Sequence, residues 1–306
     1  MPSDNLEPKV AIVVVNWNQY DDTYECLESL QKVGYPNYEI ILVDNESSDG
    51  LADAISRDFP GLFLFRNEEN LGFAQGNNIG IQFALKRDCD YVLLVNNDTV
   101  VHPSIVRELV RVAEAEPEIG ILAPKILFYN APQRLWCLGG RLLWPLGRMI
   151  VPGRDQPDPY PGEGVFEFEF VSGAGMLIRA DLFREIGLFD GKFFLYWEDT
   201  DLCVRARSQG WKVKAASSAV MWHKVSRACA GRLRTYYSSR NRLYFFAKHR
   251  KLTRWFPLVV AVDLAYMSGR SVVFALTGRT PEAIAGLLGT LDFFRKHLGR
   301  GSLDLV

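Results

Sequence analysis

The chain has 306 residues, an apolar fraction of 48% and a formal net charge of −1. That is enough for a large α/β domain with appendages and too neutral for the basic field of a nucleic-acid-binding protein. Its five cysteines are odd in number and none stands in a CxxC pair, which argues against a disulfide framework or structural zinc, and the acidic, proline-containing start MPSDNLEPKV is unlike a signal peptide, so a cytoplasmic location is expected.

The first third alternates β-branched runs with amphipathic stretches, the pattern of repeated βα units around a largely parallel sheet. Strands are expected at Val10 to Val15, Tyr38 to Val43, Leu62 to Phe65 and Tyr91 to Val95. Helices are expected near Asp22 to Lys32, Asp49 to Arg57 and Phe73 to Leu85. The strands end in polar tips: Asn16-Trp17-Asn18, Asp44-Asn45, Asn67 through Asn70, and Asn96-Asn97-Asp98. In an open parallel sheet that edge binds ligands.

From Asn130 to Gly164 the chain is rich in Pro, Gly and aromatics, which suggests a flap and not a second core. In FEFEF, Glu167 and Glu169 alternate with Phe166, Phe168 and Phe170, a half-buried strand, with a turn at Gly173 to Gly175. A helix from about Asp199 to Gln209 is expected next, and no strand signal follows Val220.

Several polar groups could carry chemistry. Asp44 could accept hydrogen bonds from a pyrimidine N–H or a ribose hydroxyl, or serve as an Asx turn or cap. Gly72, Gly76 and Gly80 recur at four-residue spacing, which is not the GxGxxG fingerprint of dinucleotide binding. With Asn70, Asn77 and Asn78 beside them, they could bring backbone amides close to a nucleotide or pack a helix on the sheet.

Asp98, just past a buried strand, needs a partner: a divalent cation, Mg²⁺ or Mn²⁺, or the N-terminus of a helix starting near Pro103. Glu198, Asp199 and Asp201 open a helix behind the apolar run Phe193 to Trp197. Capping would explain them, as would a carboxylate kept dry enough to work as a base. His223 follows an apolar run, where a histidine is either structural or a metal ligand.

In this order VVNWN, VDNESSDG, ENLGFAQGNN, LLVNNDT, SGAGMLIRA and YWEDTDLCVRARSQGW resemble the family 2 glycosyltransferases. The nearest likeness is to bacterial rhamnosyltransferases and galactofuranosyltransferases of cell-wall and surface-polysaccharide assembly. The resemblance runs from Val10 to His223. It implies a single A-type, Rossmann-like glycosyltransferase domain, residues 1–230, and a helical C-terminal region, residues 231–306. It also implies inverting transfer of a sugar from a nucleotide-diphosphate donor, dTDP-rhamnose first and UDP-sugars next, to a glycan or polyprenyl-diphosphate-linked acceptor.

The resemblance makes Asp44 the base-binding carboxylate and lines the donor site with Asn16, Asn18, Asn45, Asn70, Gly72, Asn77, Asn97 and Trp197. Asp98 becomes the last acid of a DxD metal motif whose first acid is here Asn96, placed against ribose or phosphate. His223 completes the metal site, and Asp199 is the general base with Glu198 beside it. The competing functions are a non-catalytic nucleotide-sugar-binding subunit and a glycoside hydrolase.

Beyond Arg232 the composition turns basic and aromatic. Arg232, Arg234, Arg240, Arg242, Lys248, Arg250, Lys251 and Arg254 surround Tyr236, Tyr237, Tyr244, Phe245, Phe246, Trp255 and Phe256. Phe256 to Leu276 has the length of a bilayer span but is interrupted by Asp263, Ser268, Gly269 and Arg270. It reads as a helix lying on an anionic membrane surface, or as a layer that packs on the catalytic domain or forms a homodimer.

Overall fold

A computed structural model describes residues 7–225, 231–252 and 255–302. The first part is the expected βα series: β1 (Val10–Asn16), α1 (Tyr20–Leu30), β2 (Tyr38–Asp44), α2 (Leu51–Asp58), β3 (Phe63–Arg66), α3 (Gly72–Lys86) and β4 (Tyr91–Asn96). The strands β3, β2, β1 and β4 lie side by side and parallel. Val10 through Val14 have no exposed surface, because helices cover both faces of a parallel sheet. In register, Asn16 pairs with Asp44 and Val15 with Asn96, so the polar strand tips share one edge.

Gly76 and Gly80 lie against Val15 and Val13, where a β-carbon would come within 2.9 and 2.4 Å of a valine methyl. These glycines serve close helix-to-sheet packing, the second of the two roles open to them in the sequence.

The second part is mixed. It comprises β5 (Thr99–Val101), α4 (Ile105–Ala115), β6 (Ile119–Phe128), β7 (Ala131–Cys137), β8 (Arg141–Leu143), β9 (Arg148–Ile150), β10 (Val165–Glu167), β11 (Gly175–Arg179), α5 (Ala180–Ile186), α6 (Glu198–Ser208) and β12 (Lys212–His223). The sheet order is β10-β12-β6-β11-β4-β1-β2-β3, with β5 on β12 and β7 on β6. Antiparallel β11 joins the two halves.

Three expectations are corrected here. Asp98 does not cap a helix directly, because β5 intervenes and pairs antiparallel with the end of β12. The strand signal does not stop at Val220 but continues to His223. The FEFEF strand is regular only over Val165–Glu167, beyond which Glu169 turns to the flap and accepts from the Leu142 N–H at 2.7 Å and the Trp144 indole at 3.1 Å.

The C-terminal region folds as α7 (Arg232–Lys248), α8 (Phe256–Leu276) and α9 (Thr280–Phe294). Much of the basic and aromatic cluster assigned to a membrane surface is interior. Tyr236, Tyr237, Phe245, Phe246 and Arg240 are fully buried, and Arg242 is buried in an ion pair with Asp263 of α8. Their rings pack on the domain and their cations have protein partners, so headgroups are not what they meet. Asp263 is thus turned inward.

Arg254, Cys229 and the division placed at residue 230 fall outside the described residues, as do the side chains of Ser268 and Arg270. Among the described residues no helix is long and apolar enough to cross a membrane.

Candidate active site

At the sheet edge the residues expected to line the nucleoside form a closed polar network. Asn16, fully buried, donates through Nδ2 to Asp44 Oδ1 at 3.0 Å and to Ser47 Oγ at 2.9 Å. Its Oδ1 accepts from Thr23 Oγ1 at 2.8 Å and Asn97 Nδ2 at 3.2 Å. The Asn18 backbone N–H donates to Ser47 Oγ, and its side chain accepts from the Ser48 N–H at 2.8 Å. Such bonds hold the side-chain rotamers in place before any ligand arrives.

Other residues expected at the donor turn inward. Asn67 donates to Asn45 at 2.7 Å and Asn45 to the Gly72 carbonyl at 3.0 Å, while Asn70 accepts from the Gly72 N–H at 2.8 Å. Asn77 bonds back to the Phe73 carbonyl in its own helix. Gly72 has φ of 74°, and a β-carbon there would stand 2.6 Å from the Phe194 ring and carbonyl. The backbone approach that this glycine permits is to the Phe194 loop.

The residues expected to hold a metal lie close together, Asp98 in the turn before one strand and His223 at the end of another. Asp98 precedes β5 and His223 ends β12; Thr99 and His223 are register partners. His223 Nε2 is 3.1 Å from Asp98 Oδ1, with both side chains more than nine-tenths buried. Yet neither ring nitrogen of His223 has a hydrogen-bond partner, and neither does Asn96 Oδ1. A buried imidazole with no hydrogen-bond partner on either nitrogen, facing a carboxylate at 3.1 Å, is a ligand-type arrangement that a divalent cation would fit. Among the described residues no cluster of three or more His, Cys, Asp or Glu could hold a metal. A cation here would therefore draw most of its oxygen shell from the substrate and water.

The third element is the start of α6. Asp199 Oδ2 accepts from the Gly173 N–H at 2.9 Å, and Oδ1 accepts from the Thr200 N–H at 2.6 Å and its hydroxyl at 3.2 Å. The next carbonyl, Ala174 O, receives the Asn96 N–H at 2.9 Å. Asp199 is thereby moored one residue from the tip of β4.

Burial raises the Asp199 carboxyl above its ordinary range, opposed by those N–H donors. Glu198 is raised well above its ordinary value, first by burial and then by the charge of Asp199, and its Oε2 has no partner. Two adjacent buried acids do not both ionise easily. Burial and the Asp199 charge favour the protonated form of Glu198, whose Oε2 has no partner, whereas Asp199 accepts three hydrogen bonds from Gly173 and Thr200 that favour its charged form. Trp197 caps the helix with φ of 79°.

Asp201, the third acid of this stretch, is spoken for. It takes His249 Nε2 at 2.8 Å, Arg205 Nε at 2.9 Å and Lys248 Nζ at 3.0 Å. Against the opposing effect of burial, these partners draw its carboxyl down to about 2. It is a structural ion.

Sequence reasoning missed two sets of residues. Trp136, at the end of β7, places its ring 4.4 Å from that of His223, has an unpartnered buried indole N–H, and lies under the Arg154 guanidinium at 4.8 Å. Its only sequence signal was an aromatic in a flap. Among the described residues, the buried side-chain polar atoms lacking partners belong to Asn96, Trp136, Glu198 and His223, apart from the Arg242–Asp263 pair. Buried polar groups left without partners call for one, and a bound ligand would supply it.

The second missed set is on α7. Asn241 Nδ2 donates to the Phe193, Leu195 and Tyr196 carbonyls at 2.7, 2.8 and 2.9 Å, and Arg240 Nη2 donates to Phe193 O at 3.0 Å. Helical spacing gave no hint of that partnership.

With this geometry in hand, comparison with known proteins is decisive. The sequence profile of the family described as "Glycosyltransferase like family 2" matches residues 8–256. The chain belongs to that family. It is a glycosyltransferase with the A-type fold expected from its motifs.

Among curated relatives, it is 25% identical over 210 residues to the low-salt glycan biosynthesis hexosyltransferase Agl10 of Haloferax volcanii, covering 65% of this chain and 62% of that one. It is 27% identical over 233 residues to the N-acetylglucosaminyl-diphospho-decaprenol L-rhamnosyltransferase of Mycobacterium tuberculosis, covering 70% of this chain and 76% of that one. To the dTDP-rhamnosyl transferase RfbF of Shigella flexneri it is 22% identical over 304 residues, covering 96% and 94%.

A solved structure of similar fold is the mannosyltransferase PcManGT of Pyrobaculum calidifontis in complex with GDP-Man and Mn²⁺. The TM-score is 0.60 at 15% identity, over 94% of this chain and 88% of that one. A likeness at that identity speaks for the fold.

Proposed function

We propose that this family 2 glycosyltransferase inverts the anomeric centre as it moves a sugar, with rhamnose the favoured one, from a nucleoside diphosphate to an acceptor hydroxyl. The acceptor is a glycan or a polyprenyl-diphosphate-linked saccharide of cell-wall or surface-polysaccharide synthesis. One observation carries the reading: Asp199 is held by Gly173 one residue from the β4 tip, so base and metal motif converge on one edge. The rhamnosyl preference rests on relatives whose names specify rhamnosyl transfer.

In this reading Asp44 holds the nucleoside through its carboxylate oxygens, and the buried Asn16 amide orients that carboxylate. Asp98 and His223 would hold Mg²⁺ or Mn²⁺ together with the donor diphosphate. Such a cation neutralises charge on the departing nucleoside diphosphate. Asp199 accepts the proton of the attacking hydroxyl, and protonated Glu198 beside it adds no competing charge. One base facing one leaving group suits direct displacement without a covalent sugar intermediate.

The outer faces of α8 and α9 support a peripheral position on the cytoplasmic face of a membrane. Leu258, Leu264, Ile284, Leu287, Leu291 and Phe294 are each at least 42% exposed. The last four recur at helical spacing along α9, an apolar stripe of the kind that lies in an interface.

The test is a donor screen that measures nucleotide release and the mass of the glycosylated product. Transfer from dTDP-rhamnose exceeding that from UDP-sugars is expected. Nucleotide release with no glycosylated product would overturn the transferase mechanism proposed here.

A further inference from the structure

We infer that one face of α7 positions the general base, with Asn241 and Arg240 as positioning residues that make the C-terminal layer part of the catalytic machinery. The inference rests on the proposed reading of Asp199 as base. It begins with the loop in front of α6.

Phe194, Tyr196 and Trp197 all have positive φ, at 63, 70 and 79°. Bulky non-glycine residues rarely adopt that conformation, and they hold it only where the surroundings over-determine them. What over-determines them is visible in the carbonyls. Phe193 O, Leu195 O and Tyr196 O converge on the Asn241 amide, and Phe193 O also receives Arg240. Phe194 O takes the Ala74 N–H at 3.1 Å from the start of α3. A loop of this shape without those donors would leave its carbonyls buried and unpaired.

The same helix holds the chain at and beyond the base. Phe245 stands 5.0 Å from the Trp197 ring, and Lys248 and His249 bind Asp201, two residues past Asp199. Positions 241, 245, 248 and 249 share one face of a helix. One face therefore grips the segment before, beside and after Glu198-Asp199. Arg240 is tied in turn to the C-terminal tail through the Gly299 carbonyl at 2.7 Å, and Gly299 N–H donates to Lys192 O at 2.7 Å.

Proton abstraction depends on the placement of the carboxylate to within a fraction of an ångström, whereas nucleoside binding is built on β1, β2 and β4, away from α7. Loss of the grip should therefore appear in turnover and not in nucleotide affinity. The experiment uses the full chain, comparing wild type with Asn241→Ala, the double variant Lys248→Gln/His249→Gln, and Asp199→Asn as reference. Turnover is measured across pH, and Mn²⁺-dependent affinity for the nucleoside diphosphate is measured by calorimetry.

For Asn241→Ala, kcat should fall by roughly a hundredfold, with nucleoside diphosphate affinity within about threefold of wild type and an acid limb of the kcat profile shifted from that of wild type. The double variant, which leaves the loop carbonyls bonded, should show the same split with a smaller loss, and it supplies the test if Asn241→Ala does not fold. A kcat within twofold of wild type in both variants overturns the inference. So does a parallel loss of turnover and nucleotide affinity. If Asp199→Asn itself turns over normally, the base assignment falls; if Asp199→Asn is inactive while the α7 variants are active, only the role of α7 falls.

Discussion

His223 Nε2 lies 3.1 Å from Asp98 Oδ1 without forming a hydrogen bond that satisfies either ring nitrogen. The antiparallel pairing of β5 with the end of β12 brings Asp98, in the turn before β5, against His223. Chelation should therefore abolish transfer, and Mn²⁺ or Mg²⁺ should restore it, with an imidazole ligand favouring Mn²⁺. Asp98→Asn should weaken metal-dependent nucleoside diphosphate binding at least about tenfold, read by calorimetry with and without cation. Full activity of metal-free enzyme would remove the assignment.

Asp199→Asn keeps the shape and the Gly173 contact but loses the proton acceptor, so kcat should drop by roughly a hundredfold to ten-thousandfold. Glu198→Gln replaces a carboxyl whose neutral form is favoured by burial and by the Asp199 charge, and should cost less than about tenfold on the same scale. The reverse order in steady-state kinetics would make Glu198 the base.

The pH profile follows from the direction of the Asp199 shift. Burial raises its carboxyl above the ordinary range, and a base works only when deprotonated. As pH falls through that raised value, kcat should decline with unit slope, at a higher pH than an exposed aspartate would give. An acid limb absent down to the ordinary aspartate range would contradict the burial of the base.

How much of this was legible in the sequence follows from where side chains find their partners. β1, β2 and β4 are continuous apolar runs that only a two-sided parallel core accommodates, and their common register carries Asn16, Asp44 and Asn96 to one edge. The acids of α6 were readable as a group, but their division of labour was not. Asp201 is set apart by Lys248 and His249, distant in sequence. Basic and aromatic residues in α7 have the composition of a membrane-facing helix. Only the burial of Arg242 against Asp263 and of Tyr236 and Tyr237 in the interior shows that they face the protein.

Asp201 also sets a stability limit. Its carboxyl sits at about 2 in the folded chain, below its unfolded value, so its contribution is present above the unfolded pKa and is lost as pH falls through the folded one. Acid unfolding should therefore include a component between about pH 5 and 2. Asp201→Asn should remove that component and destabilise the protein by roughly 3 kcal/mol, because Lys248 and Arg205 lose their shared anion. Denaturant titrations at neutral and acid pH measure both.

The apolar stripe on α9 makes the last prediction. Ile284, Leu287, Leu291 and Phe294 are 52, 46, 46 and 55% exposed, while Arg240 and Arg242 are committed to the interior and unavailable to headgroups. Attraction to anionic lipid must then come from exposed cations such as Arg232, Arg250 and Lys251, and hydrophobic insertion from the stripe. Purified protein should float with anionic liposomes at low salt and release at high salt. Leu287→Glu/Leu291→Glu should abolish flotation without changing nucleoside diphosphate affinity, since both residues lie on the side of α9 turned away from α7. If the protein instead stays in solution as a dimer that the same substitutions dissociate, the stripe is a subunit interface and the membrane position proposed above is wrong.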